Sequence, residues 1–199
     1  MTEAPLLYGS NTALGRFSIA NLVDSPDPFV SSMPAAGLVN PVTGTPTAGP
    51  LAVLVNRASE YTLGEVLAQM SLETQDPLVR DQIVLNGGPV HPERGFVLHD
   101  GAREWDSTLA IAENLALTTS RDILEAIAVG EGPAHAVVAL GCAGWGAGQL
   151  EYELGENSWL TAPVDPELLF ALPLAQRWQA AGGRIGIDIT RVTDYSGHA

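Results

Sequence analysis

The chain of 199 residues contains no lysine: its nine basic residues are all arginine, set against 23 acids for a net charge of −14. A phosphate-binding loop of the G-x-x-x-x-G-K-[ST] type and a Schiff-base lysine are therefore excluded, because the residue that does the chemistry is missing. Direct nucleic-acid binding is disfavoured, since neutralising phosphates takes clustered positive charge and the arginines are spread from Arg16 to Arg191. Cysteine is nearly absent as well, and the single Cys142 cannot build an internal disulfide framework. No apolar run approaches the roughly 18 residues that cross a bilayer, so no membrane span is expected. The opening MTEAPLLYGSNTALG lacks the positive start and apolar stretch of a secretory signal, which leaves the cytoplasm as the expected compartment.

Catalytic signatures are missing too. His91, His99, His135 and His198 lack H-E-x-x-H or Cys/His ligand spacing, so no metal site and no cofactor are expected, and there is no G-x-S-x-G elbow. The glycine-rich stretch GCAGWGAGQLE follows an apolar run, HAVVALG, as a phosphate cradle would. Its register fails, however: Gly146 and Gly148 are followed by Glu151 where a dinucleotide fingerprint needs glycine or alanine, and bulky Trp145 sits among the groups that would hold the anion. The glycines then serve tight turns, with Trp145 covering the end of the core or lining a pocket. Cys142 reads as a packing residue. Glu151 and Glu153, two apart on a helix, point to different sides and read as a solvated face rather than an acid/base pair.

What is present is globular: 46% apolar and 16% charged residues, with no polar low-complexity linker dividing two cores. One domain over 1–199 is expected, with a flexible N-terminus at 1–15, a loop insertion at 31–50 and a tail at 191–199. RFSIANL reads as a strand running into the turn-favouring DSPDPF. Residues 31–50, rich in Pro, Gly, Ser and Thr, are a surface loop or a pair of weak edge strands; such a loop either carries binding residues or is a tolerated insertion. LAVLV is a buried strand. Thr62 and Glu65 form a capping box that opens a helix. QIVLNGGPV is a strand stopped by a Gly87-Gly88-Pro89 turn needing positive φ, and ERGFVLHDG is the next strand. STLAIAENLALTTS is two short strands or one bent one, after which Ser120 caps a helix terminated by Gly130, Gly132 and Pro133. HAVVALG is the central strand. Leu150 and Leu154 form the buried stripe of a short helix, Asp165-Pro166 starts another, LAQRWQAAGG is a helix closed by Gly182, and IGIDIT is a terminal strand. Helices and strands interleave without the even spacing of repeated βα crossovers, so the expected class is α+β with a mixed sheet.

Taken together, VLVNRA, LNGGPVHPERGFVLH, ILEAIAVGEGP, LGCAGWGAGQLEYELGENSWLTAPVDPELLF, RWQAAGGRIGID and the closing GHA resemble the AlgH/YqgE family over most of the chain from about Phe17 onward. The sequence departs from that family's pattern at Cys142, where a tyrosine is usual, and at Ala58, where a proline is usual. The E-H pair expected shortly upstream is replaced by the 31–50 stretch. The resemblance implies a compact α+β fold with a bifurcated sheet rolled into a pseudo-barrel and helices packed outside. It brings no established reaction, since members are described as regulators or left uncharacterised. The polar and aromatic matches it transfers are Asn56, Arg57, Gly87, Gly88, Pro89, Trp145, Gln149, Glu151, Asn157 and Trp159, which could gather at strand ends into one cleft or serve turns and packing. The leading expectation is a cytoplasmic regulatory or binding protein acting indirectly through a protein partner or small ligand. The alternatives are a direct nucleic-acid-binding regulator, or an enzyme using Arg57, Glu151 and His99 on an anionic small molecule.

Overall fold

The computed structural model describes residues 16–19, 28–34, 50–112, 114–146, 148–156, 159–163 and 165–188. The expected flexible start at 1–15 and tail at 191–199 lie outside them, as do residues 35–49.

Among the described residues, ten strands and six helices follow one another. They are β1 (Arg16–Ile19), β2 (Pro28–Pro34), β3 (Pro50–Leu54), β4 (Ala58–Thr62), α1 (Leu63–Gln69), α2 (Pro77–Arg80), β5 (Ile83–Asn86), β6 (Val90–His99), β7 (Thr108–Ala112) and β8 (Leu115–Thr118). After these come α3 (Asp122–Ala128), β9 (Ala136–Gly144), α4 (Gln149–Gly155), β10 (Leu160–Pro163), α5 (Pro166–Phe170) and α6 (Leu174–Arg184). The sheet runs β10-β1-β2-β3-β9-β6-β8-β7, with β5 pairing β9 and β4 pairing β5 off that path. Pairing is antiparallel throughout except for β5 beside β9. The α+β class with a bifurcated sheet is therefore what the molecule has.

The fork lies on β9. One edge of this strand pairs β5 at Ala139 and Leu140, then β3 at Ala143 and Gly144. Between them Gly141 takes φ +78°, a left-handed conformation that only glycine adopts cheaply, and it turns the strand from one partner to the other. The end of β5 wedges into the fork. Gly87 N–H donates to Leu140 O at 2.8 Å, and Gly87 O accepts from Leu54 N–H at 2.9 Å. A Cβ on Gly87 would lie 2.2 Å from Gly141 O, and one on Gly88, at φ +142°, would lie 2.3 Å from the Cys142 carbonyl carbon. Only Gly88 of this pair has the positive φ expected of the turn. What Gly87 supplies is close backbone approach.

Alternation along the strands at the sheet's centre sends successive side chains to opposite faces. Leu85, Phe96, Leu98, Val137 and Ala139 join one buried cluster with Leu168 and Leu169 of α5 and Ala181 of α6. Val84, Val97 and Val138 join the other, with Leu63, Val66 and Leu67 of α1 and Ile123, Leu124 and Ile127 of α3. Ile111 of β7 and Ala162 of β10, from opposite ends of the strand order, belong to the same cluster, as a rolled sheet requires.

Local signals act largely as their chemistry dictates. Thr62 accepts from Glu65 N–H while Glu65 accepts from Thr62 N–H, the reciprocal capping box. Asp165 caps α5 by accepting from Glu167 N–H at 3.0 Å. Three local expectations are corrected. Residues 31–34 continue β2, an interior strand paired on both edges, rather than forming a loop or edge. Ser120 does not cap α3: its hydroxyl donates to Asp122 Oδ1, so the helix begins one residue later with Arg121 at the cap position and no side-chain cap. Helix α6 runs through Gly182 to Arg184. It ends where Gly186, at φ +75°, lets Ile187 N–H reach Gly182 O at 3.0 Å, so Ile185 to Asp188 form no strand.

Candidate functional site

The residues singled out from sequence fall into two groups on different elements. Asn56 and Arg57 form the turn between β3 and β4, where Arg57 O accepts from Asn86 N–H at 2.9 Å and the Arg57 side chain is exposed. Gly87 and Gly88 are buried in the sheet fork next to them, with exposed Pro89 following. Buried Arg177 of α6 backs this turn. Its guanidinium donates to Val55 O at 2.5 Å and Leu172 O at 3.1 Å, and desolvation lowers its pKa to about 10, which leaves it charged at neutral pH.

The second group surrounds α4. The glycines of GCAG are not a cradle, because Gly141 and Gly144 lie within β9 and the helix starts only at Gln149. Trp145 before the helix and Trp159 after it meet edge to face, with ring centroids 5.5 Å apart at 74°. Both indole N–H groups donate to the same oxygen, Glu153 Oε2, at 2.9 and 2.8 Å. Gln149, one turn earlier on the helix, donates its amide to Glu153 Oε1 at 2.9 Å and accepts from Gly146 N–H at 3.0 Å. Glu153 is thus a half-buried hub, which corrects its reading as part of a solvated face. Two tryptophans flanking a Gln149–Glu153 i, i+4 pair were the available signal. Glu151 is half-buried, and its Oε2 makes no hydrogen bond among the described residues. Asn157 lies outside the described residues.

The trio Arg57, Glu151 and His99 is not assembled. His99 pairs with Ala136 at the start of β9, whereas Glu151 lies on α4, beyond that strand's far end at Gly144. His99 is fully buried, and burial holds its pKa below the ordinary imidazole value. Its Nδ1 lies 2.6 Å from Asp100 O, so Nδ1 carries the proton and Nε2 accepts from the Thr118 hydroxyl at 2.8 Å. Thr118 in turn accepts from Thr108 at 2.8 Å, and Thr108 accepts from Trp105 N–H at 2.7 Å. Every proton in this chain has one place to go, and all of it serves the interior.

A cleft of about 430 Å³ opens elsewhere, between α1, α3 and the β6–β9 sheet, and none of the ten residues lines it. Val66, Val97, Leu124, Val138 and Leu140 form its apolar floor; Tyr61, Gln69, Glu93, Thr119, Ser120 and Arg121 supply its polar lining. Arg121 ties the two helices together, donating to Glu125 Oε1 at 2.7 Å and to Met70 O at 2.9 Å. Strand alternation puts Gly95 on the cleft face of β6 with Val97. A Cβ at Gly95 would meet nothing within 4 Å, and its φ is not in the left-handed region. Gly95 also closes a register irregularity in the β6–β9 pairing that begins at Val90, and its missing side chain leaves the space in front of it open. A glycine directly ahead of the apolar run Phe96 to Leu98 was the available sequence sign of the cleft. Among the described residues no cluster of three or more His, Cys, Asp or Glu could hold a metal ion, and no helix is long and apolar enough to cross a membrane.

Comparison with known proteins adds identity to this geometry. A family model described as AlgH-like matches residues 39–190. A UPF0301 protein of Xanthomonas axonopodis pv. citri is 70% identical over 151 residues, 76% of this chain and 80% of that relative. One from Xanthomonas campestris pv. campestris is 68% identical over the same shares. The solution structure of the AlgH protein from Pseudomonas aeruginosa superposes with a TM-score of 0.70 at 36% identity, covering 97% of this chain and 100% of that one. A Corynebacterium diphtheriae protein known from a crystal structure shares the fold alone, with a TM-score of 0.66 at 15% identity and 95% of each chain covered.

Proposed function

The chain belongs to the AlgH-like family, and from that premise we propose that it is a cytoplasmic regulatory protein that binds a small ligand in the cleft between α1, α3 and the sheet. The observation that carries the proposal is Gly95, a mid-strand glycine that faces open space in the wall of an apolar-floored cleft of about 430 Å³. That volume falls in the range of small-molecule sites, which are concave, mostly apolar and furnished with a few polar groups. Regulation would follow from the cleft's position. Its walls are two helices joined by Arg121, so a ligand between them changes the free energy of that junction and of any surface the helices present. The net charge of −14 favours a protein or small-molecule partner over nucleic acid.

The test is to purify the protein and its Gly95→Leu variant from lysate of its own source, denature each, and identify the released metabolites by mass spectrometry. A compound released by the wild type and missing from a folded Gly95→Leu protein is the expected result. Release of the same compounds by both proteins would overturn the assignment of the cleft.

A further inference from the structure

The cleft's polar groups divide sharply by charge. Arg121, its cation, is committed to Glu125 and to Met70 O. Glu93, its carboxylate, lies 3.4 Å from His91 Nδ1. The uncharged groups are in the opposite state: the Tyr61 hydroxyl, the Gln69 amide and the Thr119 hydroxyl make no hydrogen bond among the described residues. Ser120 is already engaged with Asp122 and Ser107.

We infer that the cleft selects an uncharged amphipathic ligand, an apolar body with a hydroxyl, amide or similar hydrogen-bonding end. This rests on the cleft being the ligand site, as proposed above. An anion entering it would leave water for an apolar floor and find Arg121 already paired with Glu125, and a cation would meet only Glu93, whose side chain is 71% exposed and screened by water, so most of either ion's desolvation would go uncompensated. An anion would also approach against a net charge of −14. A neutral ligand loses much less on desolvation. Its apolar body gains from covering Val97, Val138 and Leu124, while its polar end meets hydroxyl and amide groups able both to donate and to accept.

Three probes of one skeleton test the inference: 4-phenylbutanol, 4-phenylbutyrate and 4-phenylbutylamine, titrated by calorimetry and by protein NMR shifts against wild type, Gly95→Leu and Thr119→Val. The expected result is binding of the alcohol to wild type, loss of that binding in Gly95→Leu, a several-fold weakening in Thr119→Val, and ions binding roughly tenfold or more weakly than the alcohol. Thr119→Val keeps the side chain's shape, so it reports even where leucine at position 95 disturbs folding. If the carboxylate or the amine binds as tightly as the alcohol and is still lost in Gly95→Leu, the selectivity is refuted while the cleft stands. If a folded Gly95→Leu protein binds every probe as wild type does, or wild type binds none at millimolar concentration, the cleft itself is refuted as the site.

Discussion

Glu153→Ala should loosen α4 from both of its flanks at once. The substitution removes three hydrogen bonds to one carboxylate, from the indoles of Trp145 and Trp159 and from the Gln149 amide. A hydrogen bond to a charged group contributes about 1.5–3 kcal/mol when well buried, but these partners are half-buried or exposed and water can replace part of what is lost. The expected cost is therefore about 2–3 kcal/mol rather than three full bonds, or a fall of roughly 4–12 °C in Tm for a chain of this size. Glu153→Gln should cost about 1 kcal/mol, because it keeps one acceptor oxygen but turns an amide N–H₂ toward either the indoles or Gln149. Trp159→Phe keeps an aromatic ring beside Trp145 and deletes only the N–H. Urea unfolding of Glu153→Ala, Trp159→Phe and the double variant then gives the coupling directly, expected at about 1 kcal/mol. Near-UV circular dichroism should show the indole pair losing its fixed environment in Glu153→Ala. A cost below about 0.5 kcal/mol, or additivity within about 0.3 kcal/mol, would refute the view that this carboxylate holds the two tryptophans together.

Within one glycine-rich stretch, Gly141→Ala should destabilise by about 3 kcal/mol or more, since its φ is +78° and its Cβ would lie 2.3 Å from Gly88 O. Gly144→Ala, with nothing within 4 Å, should be nearly neutral; equal effects in thermal melts would contradict the fork geometry. Burial lowers the His99 pKa, so the unfolded chain takes up its proton first, and His99's contribution to stability is lost as pH falls through the ordinary imidazole value of about 6.5. Urea midpoints at pH 7.5 and 5.5 should therefore drop more in wild type than in His99→Gln. Thr118→Val should cost about 1–3 kcal/mol, because it strands both Nε2 of His99 and the Thr108 hydroxyl. Desolvation pushes the Cys142 thiol up to about 11, and the side chain is 1% exposed, so thiol reagents at pH 8 should modify it only after unfolding. Fast labelling of the native protein would contradict its buried placement.

Signals confined to a few adjacent residues were legible in advance. The Thr62–Glu65 box, the Asp165-Pro166 start, the Leu150 and Leu154 stripe and the centrality of HAVVALG each depend on neighbours no more than a turn or a strand away. Ser120 and Gly182 were misjudged where a better competitor stood close by, Asp122 for the hydroxyl and Gly186 for the left-handed stop. The Trp145–Glu153–Trp159 clamp was half visible. The tryptophans were singled out, but Glu153 was assigned to solvent because helical spacing says nothing about what folds back from beyond the helix end.

The sequence by itself determined the family, the α+β class, the exclusion of lysine chemistry and most element starts, because composition and hydrogen bonds between near neighbours do not depend on the rest of the molecule. Tertiary structure alone decided why Gly87, Gly88 and Gly141 are glycines, since the backbones that crowd one another there are more than fifty residues apart. It also decided where the cleft lies. A glycine such as Gly95 has meaning only through what faces it, and its surroundings come from α1, α3 and β9, which the chain brings together only on folding.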